Sequence, residues 1–135
     1  MALPTPPQES IIYENEFVYV CLALFPITHG STIVVWKGGV VDLHNLNEDE
    51  YRYLMEIVDV TRDALLRVCF VEKVYLIYMD EAREVHWQLV PRYNEEGFNI
   101  FKHEPLQTQD FSLANELKDA FIEILKSRNI HVPSH

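Results

Sequence analysis

A chain of 135 residues, 48% of them hydrophobic and 24% charged, is long enough to bury one core and is of a size for one domain. Its formal charge of −10 argues against a nucleic-acid polymer or an anionic membrane as partner, since both need a basic footprint; a small nucleotide needs only a local set of donors and stays open. No apolar run approaches the roughly 20 residues of a membrane span, and Met1-Ala2-Leu3-Pro4-Thr5-Pro6-Pro7 lacks the basic and apolar segments of a secretory signal, so a cytoplasmic location is expected.

Residues 1–9 read as a loose, Pro-containing arm. Residues 11–13 and 17–25 read as two strands joined by a tight turn at Glu14-Asn15-Glu16. The second run is apolar on both faces, which predicts a central strand covered on each side. After a loop over 26–30, the β-branched segment 32–37 predicts a third strand. Asn47 is a good helix N-cap and Glu50 its capping-box partner. From there Tyr51, Leu54, Met55, Val58, Leu65, Val68 and Cys69 keep helical spacing, so a long amphipathic helix runs to about Cys69, its stripe serving the core. Residues 74–79 and 84–90 predict two more strands, and a final helix starts near Ser112. Cys21 and Cys69 lie in apolar contexts and read as free thiols. This order, with mostly short links, implies one α+β domain over 1–135, an antiparallel five-stranded sheet with a long helix and a C-terminal helix on one face.

The segment Glu84-Val85-His86-Trp87-Gln88-Leu89-Val90-Pro91-Arg92 carries the chemistry. Strict alternation puts Glu84, His86 and Gln88 on one face of a strand and Val85, Trp87 and Leu89 on the other. Side chains two apart on a strand sit roughly 6–7 Å from each other, so the three polar groups can converge on one phosphate-sized group. Pro91, with no N–H to donate, is expected to end regular pairing. Taken alone, such an alternation is more often a half-exposed antiparallel strand with a wet polar face.

The run resembles the motif of the histidine triad (HIT) family, His-x-His-x-His with apolar x, often followed by Pro-Arg. Gln88 falls on the third His, as in transferase and phosphorylase branches; His86 falls on the central His and Glu84 on the first. Pro26-Ile27-Thr28-His29-Gly30-Ser31 resembles a second signature of that family, Pro-x-x-x-Gly-His, with Ser31 where the family has His. Leu46-Asn47-Glu48-Asp49-Glu50 resembles its entry into the long helix, and the resemblance spans about residues 11–92. It implies a nucleotide or nucleotide-conjugate substrate, a central His that attacks an α-phosphorus, no cofactor, and a homodimer joined through sheets and long helices. His86 is then the nucleophile, Gln88 a phosphate donor and Ser31 an auxiliary polar group. Arg92 is a further phosphate-binding candidate, and Ala23 stands near where several branches carry a ribose-contacting polar residue.

The chemistry asked of these residues is definite. A neutral imidazole, with an ordinary pKa of about 6.5, must present one lone pair while an acceptor holds its other nitrogen. Gln88 donates to phosphate without carrying charge. Glu84 departs from the pattern, because a carboxylate about 5 Å from a phosphate charge opposes it by roughly 3 kcal/mol at an effective dielectric near 20. Three roles remain for it: facing His86 and making it a general acid or base; pairing with Arg83 or Arg92; or joining His86 in a metal site with His29, His44 or His103, for which the spacing gives no signature. His29, His103, His131 and His135 otherwise read as loop or solvated residues. The segment 80–83 reads as a β–β connection shorter than the family's Gly-containing loop. Two readings stand: a nucleotide hydrolase or nucleotidyl transferase, or a nucleotide-binding or protein-interaction module that kept the fold and lost turnover.

Overall fold

The computed structural model describes residues 3–79 and 83–134. The first strand, β1 (Ile11–Glu14), turns into β2 (Val18–Leu22) through Asn15. The Asn15 side-chain oxygen accepts from the amides of Phe17 and Val18 at 2.8 and 3.0 Å, a local turn that only a short polar side chain closes. Three further strands, β3 (Thr32–Trp36), β4 (Lys73–Ile77) and β5 (His86–Arg92), complete an antiparallel five-stranded sheet in the order β1-β2-β3-β5-β4. Two helices, α1 (Glu48–Cys69) and α2 (Ala114–Ser127), complete the α+β architecture that the element order implies. No helix among the described residues is long and apolar enough to cross a membrane.

Helix α1 begins with the reciprocal capping box read from the sequence. Asn47 accepts from the Glu50 amide, and the Glu50 carboxylate accepts from the Asn47 amide, both at 2.9 Å. At its other end Phe70 adopts the left-handed conformation, φ 54°, while remaining almost fully exposed. One sheet face, carrying Val18, Val20, Val34, Trp36 and Leu89, is buried against Leu54, Ile57 and Leu65 of α1 and Leu117 and Phe121 of α2. That face supplies the main hydrophobic stabilisation. The opposite face carries Tyr19, Cys21, Ile33, Val35, His86 and Gln88 in register. Cys21 and Val35 are also buried there, outside the helix-packed core, so β2 is covered on both sides as its composition predicts.

Strand limits differ from the sequence reading by one to three residues, β3 ending at Trp36 and β4 running over 73–77 in place of 74–79, and two of the differences bear on the site. The second strand ends at Leu22, not residue 25. After it, the Ala23 amide bonds the Ser31 carbonyl at 2.8 Å, and the chain leaves the sheet ahead of Pro26. The fifth strand runs two residues later than expected, with Glu84 in the bend before it and Pro91 inside it. Pro91 is tolerated because β3 pairs only with residues 86–89. Its carbonyl points away from β4 and accepts from the Thr28 hydroxyl at 2.6 Å, so the missing N–H interrupts no ladder bond. The expected short 80–83 connection falls mostly outside the described residues, since 80–82 are not among them.

Candidate functional site

The chain approaches His86 through Val85, which is held at both ends. Its carbonyl accepts from the Trp36 amide at 2.9 Å, and its amide donates to the Val40 carbonyl at 3.3 Å. Pinning this residue aims the preceding carbonyl, that of Glu84, at the His86 ring, whose Nδ1 lies 2.9 Å from it. A carbonyl only accepts, so Nδ1 carries the proton and donates. Nε2 is left with its lone pair free, the tautomer a nucleophilic imidazole needs. Position 84 thus contributes its backbone to the site, and its half-buried side chain is not needed for that task.

His86 pairs across the sheet with Val35 of β3, and Val35 with Tyr19 of β2. Gln88 sits two residues along on the same face, half-buried between Ile33 of β3 and Ile77 of β4. The sequence predicts an open cleft here. The structure is tighter: His86 is only 5% exposed, and the Tyr78 ring lies 6.5 Å from it on the β4 side. On the opposite face Leu89 is fully buried, whereas Trp87 is only half-buried and lies 5.1 Å from Tyr78.

Tyr19 is a site neighbour that the residue pattern did not single out. Burial, followed by Cys21, Glu84 and Glu14, pushes its phenol up to about 12, so it stays a neutral donor at working pH. Only the strand register, which places Tyr19 one strand beyond Val35 in the His86 row, reveals it. Burial likewise pushes the Cys21 thiol up to about 12, so it is a slow nucleophile while it stays covered.

The loop over 26–31 is a closed hydrogen-bonded unit. The Ser31 hydroxyl donates to the Thr28 carbonyl at 2.8 Å and accepts from the Thr28 amide at 3.0 Å. Its single proton is therefore engaged within the loop. Gly30 has φ +88°, and a Cβ there would meet Cys69 Sγ at 2.9 Å and Pro91 Cγ at 3.4 Å, so both backbone and space demand glycine. Ala23 and Ser31 share a small hollow of about 60 Å³. Arg92 is not brought to His86: it lies six residues along β5, roughly 20 Å away, with its Nε buried and unbonded among the described residues.

The histidines considered as metal ligands are scattered. His44 pairs with Asp42 at 3.0 Å and His103 with Glu95, while His29 is an exposed loop residue. Among the described residues no cluster of three or more His, Cys, Asp or Glu side chains is placed to hold a metal ion. A hollow of about 990 Å³ lies elsewhere, between α1 residues such as Tyr51 and Met55 and the chain near Tyr78 and Ile130. The oriented imidazole of His86, not the size of a hollow, marks the candidate site.

Comparison with known proteins agrees with this fold. The profile of the HIT domain matches residues 6–104, well over half of the chain. The chain belongs to the HIT family. Among solved structures, this HIT chain is similar to a Zn-bound histidine triad family protein from Mycobacterium smegmatis, with 20% identity, 91% of this chain and 90% of that one covered, and a TM-score of 0.72. It also resembles a hypothetical histidine triad nucleotide-binding protein from Sulfolobus tokodaii, with 19% identity, 87% and 84% coverage and a TM-score of 0.65. A third likeness is to the Plasmodium falciparum diadenosine triphosphate hydrolase, with 12% identity, 90% and 82% coverage and a TM-score of 0.72. At such identities these likenesses establish the fold. No curated protein matches the chain by sequence.

Proposed function

We propose that this HIT-family chain is a nucleotide hydrolase or nucleotidyl transferase that works through a covalent His86 intermediate. The observation that carries the reading is the 2.9 Å bond from Nδ1 to the Glu84 carbonyl, which leaves Nε2 as the attacking atom. Nε2 attacks the α-phosphorus; a P–N bond forms and the P–O or P–N bond to the leaving group breaks, its electron pair departing with that group. Water or another acceptor then attacks phosphorus, and the P–N bond to His86 breaks. Gln88, on the same face, donates its amide to a phosphate oxygen where charge develops. Tyr19, in the His86 row, and Ser31, the residue before β3, are further polar groups, and Glu84 tunes the site by its charge. No metal or cofactor is required by this scheme. The related hydrolase and nucleotide-binding protein support a nucleotide as substrate, and a cytoplasmic homodimer using the open edge of β4 and the outer face of α1 fits the same reading.

A second reading, a binding module without turnover, is favoured by two observations: the Ser31 proton is engaged by Thr28, and His86 is nearly enclosed. One experiment decides. The chain and its His86→Ala variant are assayed on a nucleoside phosphoramidate and a dinucleoside polyphosphate, with intact-protein mass spectrometry to trap a nucleotidyl adduct. Turnover by the wild type with an adduct on His86, both lost in the variant, supports the enzyme. Equal inertness of both, with nucleotide binding retained, establishes the module. Glu84→His relieves up to about 3 kcal/mol of repulsion and raises the rate if the carboxylate merely opposes phosphate; a lower rate makes Glu84 an active partner of His86. Light scattering at micromolar concentration checks the dimer, which has twice the 15.9 kDa of one chain.

A further inference from the structure

The helix-free face of the sheet is not bare. Residues 3–7 lie against Tyr19, Cys21, Leu22, Leu24, Ile33 and Val35, and the space left between them is about 20 Å³. Ligand pockets run from about 300 to 1,000 Å³, so nothing of nucleoside size enters while this segment is in place. The covered side chains belong to the same cross-strand rows as the site: Tyr19 and Val35 with His86, Cys21 and Ile33 with Gln88. Cys21 and Val35 are 4% and 2% exposed yet stand outside the helix-packed core, and these residues are what the segment lies against.

The segment is fastened at one end. Buried Ser10 donates both its amide, at 3.0 Å, and its hydroxyl, at 2.7 Å, to the Pro7 carbonyl. Pro4, Pro6 and Pro7 have no N–H to offer a neighbouring strand, so the segment cannot join the sheet. It is stiffened by its prolines and held to the sheet through side-chain contact, which suits a piece that lifts as one body about Ser10.

We propose that residues 3–7 form a strap that competes with the nucleoside part of the substrate for the apolar bay beside His86, and so sets what the site admits. This rests on the nucleotide reading of that site. A reacting phosphate at His86 leaves its nucleoside to fall on the adjoining rows, and the strap holds them. If the strap is closed nine times in ten, nucleoside affinity falls about tenfold, whereas a ligand with no nucleoside is unaffected.

The test compares the full chain, a variant lacking residues 1–7 and the milder double variant Leu3→Ser/Pro6→Ser, all in a Cys69→Ser background. Maleimide labelling of Cys21 reads the bay without any ligand. Calorimetry with adenosine monophosphate and with inorganic phosphate reads the site. Expected are labelling at least about tenfold faster in either strap variant and adenosine monophosphate binding about tenfold tighter, with phosphate affinity unchanged. Unchanged labelling in both variants overturns the strap as a cover. Faster labelling with unchanged or weaker adenosine monophosphate binding, phosphate still binding, overturns it as a competitor. Failure of every chain to bind either ligand, in spite of faster labelling, overturns the nucleotide reading and the competition with it; the labelling result tells that failure from the first.

Discussion

The two faces of β5 are built on different principles although they alternate residue by residue. On the helix side, Leu89 is held by bulk, as one member of the aliphatic core that the sheet forms with the helices, and no single directed bond decides its place. On the other side, His86 is held by one directed bond to one carbonyl. Packing tolerates imprecision and is strong in sum; a directed bond is weak in energy and strict in geometry. Bulk packing and directed side-chain placement are thus divided between the faces of one strand.

The sharpest way to break that division is to truncate both faces. Leu89→Ala is expected to cost about 3 kcal/mol in urea unfolding, as a fully buried leucine does. His86→Ala gives up one hydrogen bond and is expected to cost about 1 kcal/mol, while removing turnover by about a thousandfold or more. Comparable stability losses at the two sites would refute the division. Next in size is Gly30→Ala, which forces a side chain into a left-handed backbone and against Cys69. A loss of about 2 kcal/mol is expected by chemical denaturation, and amide exchange at Ser31 and Thr32 should rise with it. If exchange there is unmoved, the loop is not anchored as described.

A smaller effect, away from both faces, serves as a control. Phe70→Gly relieves a left-handed aromatic at the end of α1 and is expected to stabilise the chain by about 1 kcal/mol, read as a higher Tm with unchanged activity. The smallest expected effect is in pH. Burial raises the Glu95 carboxyl, but its own amide and that of Tyr93, His103 and the Asn94 amide outweigh it and hold the group down at about 2. A depressed carboxyl stabilises the fold above its unfolded pKa of about 4.5, and that contribution is lost as pH falls toward 2. Glu95→Gln should therefore lower stability near neutrality, leave it unaltered near pH 2, and so flatten the acid limb of a stability–pH curve between those values.

Most of the fold was legible because each element announced itself through its own chemistry: the Asn47 cap, the β-branched run at 32–36 and the alternation after Val85. The strand limits were less so, since they depend on partners. Pro91 stays in β5 only because β3 has already ended beside it. At the site, His86 and Gln88 could be named from spacing. Tyr19 could not, because its relation to His86 runs through the register of two strand pairs. Nor could the engagement of Ser31 by Thr28, which is a matter of loop closure, or the distance of Arg92, which depends on where β5 starts.

Every residue has a carbonyl, so the group that orients His86 cannot be removed by a point substitution at position 84. What selection can alter is the path that aims it. The side chain at 84 can change without loss of that bond, whereas a single inserted or deleted residue between Trp36's partner Val85 and the strand would reverse the parity of all that follows and turn the imidazole toward the helices. The orientation of the imidazole is therefore insensitive to spelling at that position and intolerant of a change in length.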